Sequence, residues 1–139
     1  ITLEEATRTG TGFRNVPDGR ALLSMKAVAQ NIFEQLPAGL GNKPIKITSF
    51  YRSPLVNKKV GGSITSQHVK GEAMDFQAIH GTNKEIFDYI RKYLIYDQLI
   101  WEFGNDIEPD WVHVSYAKKN RKQCLRSKRF NGKTWYENI

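Results

Sequence analysis

A histidine and a carboxylate lie seven residues apart in the stretch SQHVKGEAMDF, residues 66–76. His68 offers a ring nitrogen, Asp75 offers an oxygen, and Gly71 between them lets the backbone turn. Asp75 is surrounded by apolar residues, where an unpaired buried carboxylate would be costly. A zinc ion would compensate that charge, since zinc takes both nitrogen and oxygen ligands. The alternative is an ordinary histidine together with an Asp that caps a helix or forms a salt bridge.

A second histidine lies in the stretch DWVHVSY, residues 110–116. If these residues form a strand, Trp111 and His113 share one face, and the neighbouring valines share the other. The valines should face the core, so His113 should point into a cleft, beside an aromatic side chain. A third ligand from His113 would complete a His2Asp zinc site with one position left for water. The alternative is a strand histidine with a purely structural role.

A hydrolytic zinc site also needs a group that accepts a proton from water. Asp110 lies three residues before His113, and a regular strand would place the two side chains on opposite faces. Asp110 must therefore lie in a turn after Pro109 to reach the same cleft, where a carboxylate could act as general base. The alternative is a turn-forming Asp. Glu72 and Glu102 are weaker candidates, because neither has the spacing to a ligand that Asp110 has.

Other polar residues allow either a functional or a structural interpretation. Arg52 follows a predicted strand, and its guanidinium could pair with a substrate carboxylate or stabilise an oxyanion, or could form a surface salt bridge. Ser66 could hold substrate or cap a turn. His80 directly precedes a helix-capping sequence, and we predict that it is not a ligand.

Capping signals predict three helices. They begin after Thr2, Asp18 and Thr82, and the second and third end near Leu36 and Leu94. The second helix is stopped by PAGLG at 37–41, and its predicted buried stripe is Leu22, Met25, Ala29, Ile32, Phe33 and Leu36.

Strands are predicted at 46–50, 98–103 and 111–116, with 104–109 as a hairpin connection. The predicted class is α+β: a single compact domain with a small, mainly antiparallel sheet flanked by helices and the zinc site on the sheet. Helices are expected both first and last in the chain.

The length of 139 residues fits one domain, 1–139, and 40% hydrophobic residues are enough to build a core. Cys124 is the only cysteine, which excludes an internal disulfide and a cysteine-based zinc site. The net charge of +7 suggests an anionic partner such as nucleic acid, acidic lipid or a wall polymer. Residues 118–133 carry eight Lys or Arg and no acid, so 118–139 is interpreted as a basic C-terminal extension or a solvated edge.

The sequence contains no apolar run of the roughly 18 residues that a membrane span needs. No signal peptide is visible, but the chain begins at Ile1, so a leader could have been removed. The localisation is therefore left open, and a monomer is the default expectation.

These motifs resemble a known family, the zinc D-Ala-D-Ala carboxypeptidases and dipeptidases, which also contains phage endolysins that cut the L-alanyl-D-glutamate bond. The resemblance covers residues 3–116. Residues 66–75 fit its SxHxxGxAxD motif, and 110–113 fit its second motif, in which some relatives have Glu for Asp110. Residues 49–54 resemble SGYRSP, with Phe50 in place of a small residue. Asn57, 61–63 and 98–104 also resemble compact single-domain members.

The resemblance implies one zinc ion bound by His68, Asp75 and His113, with Asp110 as general base. It implies Arg52 with Ser66 near the substrate or the oxyanion. We also predict Asn57 and Trp111 as residues that bind the substrate. The implied reaction is hydrolysis of a peptide bond in the peptidoglycan stem by a metal-activated water, at the cell wall, for a bacterial or a phage protein. The resemblance carries no function for the basic end of the chain.

Two other functions stay open from the sequence. A catalytically silent zinc-containing module could bind the cell wall or a protein partner, although it would need neither a base nor Arg52. A nucleic-acid binder could use the basic residues 118–129 with Trp135, but no recognised reading motif is present. We therefore expect no specific nucleic-acid partner.

Overall fold

The chain is described from a computed structural model, which describes residues 1–36, 40, 44–79 and 82–139. The helices are α1 (Leu3–Thr7), α2 (Gly19–Asn31), α3 (Pro54–Lys59) and α4 (Asn83–Tyr93), and a 3₁₀ turn, Phe33–Gln35, follows α2. The strands are β1 (Ile45–Ser49), β2 (Ala73–Ala78), β3 (Gln98–Glu102), β4 (Trp111–Ser115), β5 (Gln123–Phe130) and β6 (Lys133–Asn138). His80, and most of the predicted helix stop at 37–41, lie outside the described residues.

The three predicted helices form where their caps indicate. Thr2 makes a full capping box with Glu5, and the side chains of Asp18 and Thr82 each accept a backbone N–H from the first turn of α2 and α4. The helix α3 is not among the predicted helices, although Ser53 caps it and Pro54 occupies its first turn. It has only six residues, so apolar periodicity could not reveal it.

One six-stranded sheet, in the order β1-β2-β4-β3-β5-β6, runs through the molecule. All neighbouring strands are antiparallel except β3 and β5, which are parallel, so the mainly antiparallel sheet is confirmed. The predicted hairpin of β3 and β4 is also confirmed. The expectation of a final helix is wrong, because the basic C-terminal stretch forms β5 and β6 and extends the sheet at its edge.

The two faces of the sheet have different roles, because side chains alternate along each strand. One face packs against the helices and forms the core; its residues include Met74, Phe76, Leu99, Trp101, Val112 and Val114. The residues buried in α2 are Ala21, Met25 and Val28, so the buried stripe lies partly one residue earlier than predicted. The opposite face of the sheet is left to the polar residues of the site.

Within the described residues, none of the helices has the length and apolar character required to cross a bilayer.

Candidate metal centre

The pairing of two central strands brings the first two candidate ligands together. Asp75 in β2 lies directly opposite His113 in β4, on the face of the sheet away from the core. His68 comes from the tight turn just before β2. Gly71 has a φ of +74°, and a Cβ at this position would lie 2.5 Å from the carbonyl oxygen of Ala21 in α2. Glycine is therefore required for the turn that carries His68 to lie against that helix.

The three ligand atoms form a compact group. His113 Nδ1 lies 2.8 Å from Asp75 Oδ1, and His68 Nε2 lies 3.2 Å from Asp75 Oδ2. One atom from each of the three side chains lies within 4.8 Å of the others. Two imidazole nitrogens and one carboxylate oxygen are the donor set of an open zinc site.

The tautomer of His68 indicates which atom would bind the metal. Its Nδ1 lies 2.7 Å from the carbonyl oxygen of Phe50, which can only accept, so Nδ1 carries the proton and donates. In the neutral ring, Nε2 then presents a lone pair. Nε2 is buried without a hydrogen-bond partner among the described residues, and it faces a carboxylate oxygen. A cation between two such acceptors removes their repulsion, so the residues fit a metal ion.

Burial and mutual charge determine the protonation of the group. Burial opposes ionisation of Asp75, but the adjacent imidazoles of His68 and His113 outweigh it and hold the pKa of this carboxyl well below its usual range. Burial lowers the pKa of His113, but the hydrogen bond and charge of Asp75 outweigh it, and the pKa is raised overall. The carboxylate therefore stays ionised and available as a ligand at neutral pH.

Arg52 is fixed against this group by hydrogen bonds. Its Nη2 donates to Asp75 Oδ2 at 3.3 Å, its Nε donates to Ser49 at 2.9 Å, and its Nη1 lies 3.4 Å from Asn57 Oδ1. Asn57 is buried, and its Nδ2 donates to the carbonyl of Ser63. Arg52 lines the cavity, whereas Asn57 forms hydrogen bonds with Arg52 and with Ser63 of the following loop.

Two cavities meet at the metal group. One, of about 550 Å³, is lined by the three candidate ligands and also by Arg52, Ser66, Glu102 and Trp111. The other, of about 460 Å³, shares Arg52, Asp75 and Trp111 with it and extends towards residues 8–11. Arg52 and Asp75 therefore line both cavities, and the two cavities together are called the groove below.

Asp110 is brought into a different cavity. Its backbone N–H donates to Glu102, and its carbonyl accepts from Gln77 and Asn83, which fixes the bend before β4. Asp110 is exposed and lines a basic pocket that also contains Arg126 and Arg129. The turn after Pro109 thus exists, and Asp110 is among the residues of this pocket and not among those that line the cavity of the metal group.

Glu102 is the carboxylate that shares the cavity with the metal group. It lies opposite Trp111, so it projects from the same face as His113. Its Oε2 accepts a hydrogen bond of 2.5 Å from the buried hydroxyl of Ser127 in β5. Burial is the main influence on the pKa of Glu102 and raises it, which the hydrogen bond of Ser127 only partly offsets.

Spacing along the chain does not single out Glu102, which makes it the weaker candidate from the sequence. Strand parity would have favoured it: with 104–109 as a hairpin connection, residue 102 pairs with residue 111, which shares a face with His113. Ser127 had no comparable signal, because a parallel pairing between β3 and β5 cannot be read from a short basic stretch.

Comparison with known proteins identifies the family. The Peptidase M15 family model matches residues 2–115, which is most of the chain and includes all three candidate ligands. Comparison with curated protein sequences gives no match. Given the extent of the family match and the His2Asp group that could bind one metal ion, this chain belongs to the Peptidase M15 family, whose members are zinc-dependent metallopeptidases.

Proposed function

We propose that this protein hydrolyses a peptide bond in the stem peptide of peptidoglycan. The observation that carries the proposal is the buried His68 Nε2, which faces Asp75 without a hydrogen-bond partner among the described residues, in a cavity that also contains Glu102. A zinc ion that only stabilised the fold would not need an open cavity with a separate carboxylate beside it. The net charge of +7 would favour the approach to an anionic cell wall.

His68, Asp75 and His113 would hold the zinc ion, which when bound supplies a Lewis acid that polarises a carbonyl and acidifies water. The chain's own acid–base group in our proposal is Glu102. Ser127 donates to its Oε2, so Oε1 takes no part in that hydrogen bond. Oε1 accepts a proton from a water molecule as the water oxygen adds to the peptide carbon. The same proton then passes to the departing amine as the C–N bond breaks.

Three residues of the cavity would bind and orient the peptide. The guanidinium of Arg52, held beside Asp75, is positioned to attract a carbonyl or carboxylate oxygen. Ser66 offers a hydroxyl, and Trp111 offers an apolar surface shared by both halves of the groove. Asn57 would act indirectly, by positioning Arg52.

Asp110 is the second candidate for the general base, because its spacing to His113 matches the family motif. Its exposed side chain would have to leave the neighbouring basic pocket to reach the metal group. We therefore prefer Glu102 and expect substitutions at the two positions to differ strongly.

The groove favours an internal bond over a terminal one. An endopeptidase must accommodate chain on both sides of the scissile bond, and cavities lie on both sides of Arg52 and Asp75. A D-Ala-D-Ala carboxypeptidase needs space for only one residue beyond that bond. We therefore prefer cleavage between L-Ala and D-Glu of the stem peptide.

The test is mass spectrometry of purified muropeptides incubated with the zinc-loaded protein. We expect L-Ala to be separated from D-Glu, and no product after chelation. Loss of a terminal alanine instead would support a carboxypeptidase. No product from a protein with confirmed zinc would support the silent binding module.

Substitutions of His68 and His80 provide matched variants for this test. His68→Ala should lose both zinc and activity, because it removes one of the three side chains that form the candidate metal group. His80→Ala should keep both, as expected for a histidine that is not a ligand. Undiminished cleavage by zinc-free His68→Ala protein would rule out the proposed mechanism.

A further inference from the structure

The β5–β6 hairpin lies beyond residue 115, where the family match ends. It is nevertheless built into the site, because β5 pairs in parallel with β3 and places Ser127 beside Glu102. The hydroxyl of Ser127 donates to Glu102, and the Ser127 side chain is fully buried. The hairpin is therefore a fixed neighbour of the proposed acid–base group.

One face of the hairpin forms a wall of the metal cavity. Tyr136 in β6 lies directly opposite Ser127, and the two residues therefore project to the same side of the sheet. Leu125, Thr134 and Tyr136 line the cavity that contains His68, Asp75 and His113. The hairpin thus contributes an apolar residue, an aliphatic hydroxyl and a phenol to this wall.

Tyr136 combines contact area with a hydrogen-bond donor. Its ring is 57% exposed, which leaves it accessible to a ligand in the cavity. Partial burial, together with the negative charges of Glu102 and Asp75, raises the pKa of its phenol. The hydroxyl therefore keeps its proton at neutral pH and can donate to an oxygen of a bound peptide.

We propose that the β5–β6 hairpin is a substrate-binding wall of the active site, in which the Tyr136 hydroxyl donates a hydrogen bond to a carbonyl or carboxylate oxygen of the bound stem peptide. This inference rests on the proposed peptidase function. It assigns a role in substrate recognition to a segment that the family match does not include.

The adjacent residue provides a matched control. Trp135 is 59% exposed, close to the value for Tyr136, but alternation along β6 directs it to the other face of the hairpin. Replacing either residue with alanine removes a half-exposed aromatic ring from the same strand. Only Tyr136→Ala removes a ring from the cavity.

The experiment measures kcat/KM for muropeptide cleavage and the unfolding temperature of each full-length, zinc-loaded variant. We expect Tyr136→Ala to lower kcat/KM by at least about tenfold, and Tyr136→Phe by about five- to tenfold through the lost hydrogen bond. Trp135→Ala should stay within about twofold of wild type, as expected for an exposed side chain outside the site. Equal activity of Tyr136→Ala and Trp135→Ala would overturn the proposal.

A binding measurement separates failure of this inference from failure of the proposed function. If the wild-type protein cleaves no muropeptide, the proposed hydrolysis is wrong, and titration calorimetry with the same muropeptide then tests the hairpin alone. Weaker binding by Tyr136→Ala than by Trp135→Ala would support the substrate-binding wall. Equal binding by the two variants, or no binding by the wild type, would overturn it.

Discussion

Glu102 and Asp110 are both acidic residues close to His113, but their surroundings differ. Glu102 is 8% exposed and accepts a hydrogen bond from Ser127 in the metal cavity, whereas Asp110 is exposed and lines a pocket with arginines. A carboxylate with a raised pKa is better suited to accept a proton and return it near neutral pH than a solvated one. The environment therefore favours Glu102, although the motif spacing favours Asp110.

Glu102→Gln should reduce kcat by roughly 100-fold or more, because it removes a general base while an amide oxygen can still accept from Ser127. Asp110→Asn should stay within about threefold of wild type, as expected for an exposed substitution. Both variants should keep one zinc ion, measured by atomic absorption alongside muropeptide turnover. A collapse of kcat in Asp110→Asn with an active Glu102→Gln would assign the base to Asp110.

The turn between Ser66 and β2 determines where His68 lies, and its geometry depends on Gly71. This glycine combines a left-handed φ with close contact to the backbone of α2. The backbone N–H of Arg52 also donates to the carbonyl of His68, which ties the turn to the segment after β1. The metal ligand is therefore positioned by packing between elements as well as by its own sequence.

Gly71→Ala should destabilise the protein by at least about 2 kcal/mol more than Gly61→Ala, measured by urea unfolding. Gly61 has a similar φ of +76°, but no atom of the described residues lies within 4 Å of its added Cβ. The difference therefore isolates the clash of the new methyl group with Ala21.

Gly71→Ala should also weaken zinc binding, because relief of the clash between the new methyl group and Ala21 must displace the turn that carries His68. Competition with a chelator provides the measurement. Equal stability and equal zinc affinity of the two alanine variants would show that α2 does not constrain the turn.

Asp97 connects three distant parts of the molecule. Its carboxylate accepts hydrogen bonds from Gln67 in the His68 turn and from the backbone and guanidinium of Arg121, which precedes β5. Asp97 itself directly precedes β3 and is 3% exposed. This one buried carboxylate therefore links the metal ligand, the strand of Glu102 and the segment leading to the hairpin.

The hydrogen bonds to Asp97 predict that the free energy of unfolding of the protein depends on pH. Hydrogen bonds from Arg121 are the main reason why the pKa of Asp97 falls from 3.8 to about 2. Because the folded-state pKa is depressed, the stabilisation is complete above about pH 4 and is lost as the pH falls through about 2. Arg121→Met should lower the free energy of unfolding by about 1–2 kcal/mol at pH 7, with the difference shrinking between pH 4 and pH 2.

Urea unfolding of chelator-treated protein across this pH range checks the prediction. Lys128→Met is the matched control, since it removes a cation from an exposed pair with Glu137 and should cost less than about 0.5 kcal/mol. A cost of Arg121→Met that is the same at pH 7 and pH 2 would contradict the role assigned to Asp97.

Local chemistry made much of this protein predictable. The capping residues Thr2, Asp18 and Thr82 predicted where three helices begin. The alternation of polar and apolar residues around His113 correctly predicted a core face and a polar face of the strand. β2 was not predicted, because its stretch AMDFQA is apolar where the strand is buried on both sides and shows little alternation. β5 and β6 were missed because they carry mostly polar and basic residues; β6 is the edge strand and β5 lies next to it.

The sequence by itself determined the class of the fold and, through motifs that resemble a known family, the identity of the three side chains that form the metal group, because caps, strand alternation and motifs depend on residue types within short stretches. Only the tertiary structure decided which other residues line the cavity of that group. Glu102 and Tyr136 line this cavity, whereas Asp110 lines a neighbouring pocket. The physical reason is that strand pairing between distant segments sets these positions, and the register of such pairing is a property of the packed sheet.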